Sequence, residues 1–61
     1  MNDKYLIERI ESKYETTEYY TNVLTQYWID KIINEHYVLS KWDNEIKRYV
    51  IVDLNEELNG R

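Results

Sequence analysis

The residues that carry acid–base or nucleophilic chemistry are nearly absent from this chain. His36 is its one histidine, it has no cysteine, and Ser12 and Ser40 are its two serines. Such chemistry needs a positioned pair or triad of groups, and neither serine lies in a nucleophile-elbow motif. A lone histidine without cysteine does not make a structural zinc site. With Gly60 the one glycine, there is no loop to cradle a phosphate. Glu8, Glu11, Glu15 and Glu18 recur at helical spacing, the pattern of a solvated face. His36 reads as a residue at a helix C-terminus, where a cation meets the helix dipole favourably. No catalytic residue, metal ligand or cofactor is expected, and the chain is not expected to be an enzyme.

Recognition chemistry, in contrast, is abundant. Seven Tyr and two Trp stand without a single Phe. Tyr and Trp bury apolar faces while keeping a polar handle, and they are enriched where proteins touch one another. Residues 15–28 hold Glu15, Glu18, Tyr19, Tyr20, Tyr27 and Trp28 with no Lys or Arg. Together with Tyr37 and Tyr49, these six are the candidate partner-binding residues. An acidic, aromatic surface of this kind suits a protein partner with a basic or aromatic-lined face.

Composition narrows the class further. The formal net charge is −4, which argues against phosphate-backbone binding. No apolar run approaches the roughly 20 residues of a membrane span. The start, Met1-Asn2-Asp3-Lys4, lacks the basic-then-apolar pattern of a signal peptide, so a cytoplasmic location is expected. Asn, Ile, Lys and Tyr are plentiful and Pro is absent. This flavour of short acidic chain is similar in composition to accessory proteins of phages and other mobile elements. The expectation is a small protein-binding inhibitor or regulator of a host protein. One alternative is a homo-oligomeric assembly subunit, most simply a homodimer. Another is a winged-helix-like nucleic-acid-binding regulator, against which the second helix offers Lys31 as its cation where a recognition helix presents several donors.

The elements that must position these residues are read as α+β in a single domain: helical 3–35, a β-hairpin over 37–54 and a polar tail over 55–61. Leu6, Ile7, Ile10 and Tyr14 fall on one face of a first helix, with Asp3 as N-cap. Ser12-Lys13-Tyr14-Glu15 has the capping-box pattern, a sign of a break near 12–17 and a second helix over 17–35, with one continuous helix as the alternative, although the Thr and Tyr content of 14–21 also suits a strand. Tyr49-Val50-Ile51-Val52 is a β-branched, aromatic run that favours a strand. A three-residue turn, Asp43-Asn44-Glu45, puts Val38, Trp42, Ile46, Val50 and Val52 on one hairpin face and Tyr37, Leu39, Tyr49 and Ile51 on the other. In the competing reading 43–59 is a third helix of an all-α bundle. The expected core is Leu6, Ile10, Leu24, Ile32, Val38 and Val50.

Overall fold

The computed structural model describes residues 4–59. Its elements in chain order are β1 (Tyr5–Ser12), β2 (Glu15–Thr21), α1 (Gln26–Glu35), β3 (Val38–Asp43), β4 (Arg48–Ile51) and α2 (Leu54–Asn59). The strands form one sheet in the order β2-β1-β3-β4, every neighbouring pair antiparallel. It follows that β2 and β3 run parallel to each other with β1 between them, and α1 is the connection that passes across β1.

This architecture overturns the expected α+β arrangement of N-terminal helices packed on a hairpin, and the all-α alternative with it. Residues 5–21 are a β-hairpin where a helix was expected, and 43–59 is divided between β3, β4 and α2. The expected N-cap, Asp3, lies outside the described residues.

The physical reason begins with Tyr5-Leu6-Ile7. Three consecutive apolar residues suit a strand buried on both faces, and β1 is an inner strand with β2 on one side and β3 on the other. Ile7 has no exposed surface at all. Across from it, β2 contributes Thr16, Thr17, Tyr19, Tyr20 and Thr21, side chains that pack better on a pleated surface than in a helix. The Ser12 hydroxyl, read as a helix cap, instead accepts the Tyr14 N–H at 3.3 Å. Ser and Thr hydroxyls serve turns as readily as helix ends.

One face of the sheet carries the core. Tyr5, Ile7 and Leu39 from the strands meet Leu24, Ile32 and Tyr37, with Tyr19, Trp28, Ile29, Val52 and Leu54 packed around them. Helix α1 starts where the Thr25 side chain accepts the Trp28 N–H, and ends at His36 in the left-handed conformation, φ 57°. The short α2 is tied to the same face through Glu57, which accepts the Tyr5 hydroxyl at 3.1 Å and pairs with Lys41 at 3.3 Å.

The β3–β4 hairpin corrects the expected register. Its loop is residues 44–47, one longer than expected, and Trp42 stands opposite Tyr49 rather than Ile46. Asp43 Oδ1 accepts the Glu45 and Ile46 N–H groups, the Lys47 N–H donates to the Asp43 carbonyl at 2.9 Å, and Lys47 closes the loop at φ 59°. An odd displacement moves a whole strand's side chains to the other face. Val50 and Val52 therefore join Leu39, while Tyr49 and Ile51 join Val38 and Trp42.

Candidate functional surface

Both helices pack on one face of the sheet and leave the other open. Cross-strand register assigns the open face directly, because residues paired across strands point the same way. One row is Tyr20, Leu6, Ser40 and Ile51; beside it, Trp42 pairs with Tyr49; on the other side lie Glu18, Glu8 and Val38; then Thr16 pairs with Ile10. Lys4, whose carbonyl accepts the Trp42 N–H, adjoins the Trp42 row and holds its ammonium 5.9 Å from the Trp42 ring.

The face is substantially apolar and partly closed by its own aromatics. Ile10 is 67% exposed, Tyr20 62% and Ile51 73%. The Tyr20 and Tyr49 rings lean toward each other to a centroid distance of 6.0 Å, and Tyr49 meets Trp42 at 5.2 Å. Leu6 and Ser40, in the middle of the face, are buried although neither α1 nor α2 lies above them; Ser40 is 3% exposed. Lys4, Tyr20, Thr21, Asn22 and Tyr49 bound an open groove of about 510 Å³ at this end of the sheet.

Two carboxylates stand in the same surface. Glu8 and Glu18 are direct cross-strand partners, an arrangement that disfavours the folded sheet through like-charge repulsion. The Tyr20 hydroxyl donates to Glu18 Oε2 at 2.9 Å. That hydrogen bond, reinforced by desolvation and by the carboxylate's charge, raises the phenol above its ordinary range. Among the described residues, no cation forms an ion pair with Glu8 or Glu18.

The eight residues expected to bind a partner do not form one surface. Tyr20, Tyr49 and Glu18 come together on the open face. Tyr19, Trp28 and Tyr37 belong to the helix side: Tyr19 packs at 5.2 Å from Trp28 and 6.2 Å from Tyr37. Tyr37, expected on the outer hairpin face, is buried. Tyr27 is exposed on α1 with the Lys31 ammonium 5.2 Å from its ring, and hydrogen bonding to Tyr27 raises the Lys31 pKa. Glu15 is exposed at the start of β2, beside the Lys13-Tyr14 turn. The expected core divides as well: Leu24 and Ile32 are in it, Leu6 is buried from the open side, Val38 is half-buried there, and Ile10 and Val50 are exposed. Glu8, Ile10, Trp42 and Ile51 were not read as surface partners. Alternation along β1, taken as a strand, is the signal that finds the first two.

Among the described residues, no group of three or more His, Asp or Glu is placed to hold a metal, and no helix is long and apolar enough to cross a membrane. No family model matches the chain, and neither a curated protein nor a solved structure matches it.

Proposed function

We propose that the chain is a protein-binding module, acting as an inhibitor or regulator through the open face of its sheet. The observation that carries this reading is the set of exposed apolar side chains, Ile10, Tyr20 and Ile51, on a face that neither helix covers. Apolar surface rimmed by polar groups is characteristic of interaction sites. The reading also accounts for the aromatic composition, since Tyr20, Tyr49 and Trp42 supply large contact area with few rotatable bonds.

The test is differential capture. The tagged chain is compared with an Ile10→Asp/Ile51→Asp variant and with a Tyr27→Asp/Ile33→Asp variant, which alters the exposed side of α1. Each variant's fold is verified by circular dichroism. Loss of a captured protein with the first pair and retention with the second supports the open face. Equal capture by all three sinks it. Molar mass by light scattering across a hundredfold concentration range separates self-association from a heterologous partner. A dimer broken by Ile10→Asp/Ile51→Asp would give the face to a second copy, as a homodimeric assembly subunit requires.

A further inference from the structure

Resting on that reading, the charge pattern of the open face says what kind of partner fits it. We infer that the face receives a protein segment bearing an arginine flanked by apolar side chains, the guanidinium bridging Glu8 and Glu18 and lying along Tyr20.

The argument is one of complementarity. On the open face Glu8 stands between Leu6 and Ile10 along β1, with Val38 across from it on one side and Glu18 on the other, so an occupant resting on the exposed Ile10 and the half-buried Val38 also lies against the carboxylate pair. Covering a pair of like charges without a counter-charge carries a large desolvation penalty. The occupant must therefore bring a cation to that row. Arginine suits it better than lysine, because its planar fork of donors can serve two carboxylates at once, it is less strongly hydrated, and its flat face stacks on an aromatic ring. Tyr20 is that ring: its hydroxyl already holds Glu18 at 2.9 Å, leaving one carboxylate oxygen of Glu18 and both of Glu8 to accept.

The same pattern disfavours the other occupants. A second copy laid face to face would bring two more carboxylates. Its described arginines, Arg9 and Arg48, pair with Thr17 and Asp43 in positions that point to the helix side. Its Lys4 is held over Trp42. A nucleic acid could stack bases on Tyr20, Tyr49 and Trp42, but its phosphates would meet the Glu8–Glu18 row.

The experiment is an amide-shift NMR titration of the full chain, to 10 mM, with the capped tripeptide Ile-Arg-Ile. Parallel titrations use Ile-Lys-Ile, Ile-citrulline-Ile and a thymidine oligonucleotide. The arginine peptide should shift Glu8, Ile10, Glu18 and Tyr20. It should bind at least fivefold more tightly than the lysine peptide, and the citrulline peptide should not bind. Glu8→Gln/Glu18→Gln should abolish the arginine response while the unbound spectrum stays folded. Equal binding of the citrulline peptide, shifts mapping elsewhere, no response by 10 mM, or preferential binding of the oligonucleotide would each overturn the inference. If Glu8→Gln/Glu18→Gln leaves protein capture intact while Ile10→Asp/Ile51→Asp removes it, the arginine inference fails and the binding reading stands.

Discussion

Tyr20 and Tyr49 sit on the two outer strands of a four-stranded sheet, yet their ring centroids are 6.0 Å apart. In a flat sheet three strand spacings would hold their backbones about 14 Å apart. The two side chains therefore reach inward over the middle strands, which is how Leu6 and Ser40 are buried on a face that neither α1 nor α2 covers. A small sheet gains a partial second layer from its own rim, and Ile10 and Ile51 stay outside that layer.

The two faces should respond differently to truncation. Ile7→Ala removes a fully buried side chain from the inner strand and should cost about 3 kcal/mol. Ile51→Thr keeps the β-branched shape on an exposed edge and should change stability by less than about 0.5 kcal/mol. Urea unfolding of both variants checks this. Similar costs would mean that the exposed face contributes to folding as much as the core does.

Trp28 tests the helix side. It packs against Tyr19 and Tyr27, at 5.2 and 5.3 Å between ring centroids, so Trp28→Ala should destabilise the fold by about 3 kcal/mol. Partner capture by the fraction that remains folded should be unchanged. Lost capture at full stability would return Trp28 to the binding surface.

Lys47 holds a left-handed conformation that side chains with a Cβ resist. Lys47→Gly should relieve that strain and, after the extra chain entropy of glycine is subtracted, raise stability by about 0.5 kcal/mol. The readout is a higher urea midpoint at unchanged slope. A lower midpoint would show that the Lys47 side chain contributes more than its backbone costs.

The Tyr20 hydrogen bond gives a pH signature. The folded-state pKa is raised, so its contribution to stability is fully present below the unfolded value near 10 and is lost as pH rises through the folded value. NMR titration of the tyrosine ring carbons should show Tyr20 ionising above 10, and Glu18→Ala should bring it down. An unmoved Tyr20 in that variant would mean the Glu18 contact is absent in solution.

How much of this the sequence could disclose depended on where the local signals were. The run Tyr49-Val50-Ile51-Val52 advertises a strand through its side-chain shapes, and β4 takes in its first three residues. Leu6, Ile7, Ile10 and Tyr14 fit a helical face as well as a strand, and what decides between them is pairing with residues 38–41, which no local window contains. Turns were hidden for a different reason. The left-handed position that glycine usually marks is filled in the β3–β4 loop by Lys47, so the length of the 44–47 loop carried no punctuation, whereas the end of α1 at Glu35, with His36 as its cap, is where the sequence reading put it. The one-residue error in that loop then placed Tyr49 and Ile51 on the wrong face relative to Trp42. The surface itself was legible in its chemistry, as Tyr, Trp and Glu, but its membership required the register.

The order of the strands also sets a tempo. Each hairpin closes between near neighbours in the chain, but β1 meets β3 with Ile7 opposite Leu39 and all of β2 and α1 strung between them. Closing that span carries most of the chain-ordering cost before its contacts are made. The two hairpins should therefore form and dissolve on microsecond scales, and the rate-limiting event should be their meeting. Stopped-flow kinetics would show it: Leu39→Ala should slow folding, whereas Thr17→Ala, on the outer strand, should mainly hasten unfolding.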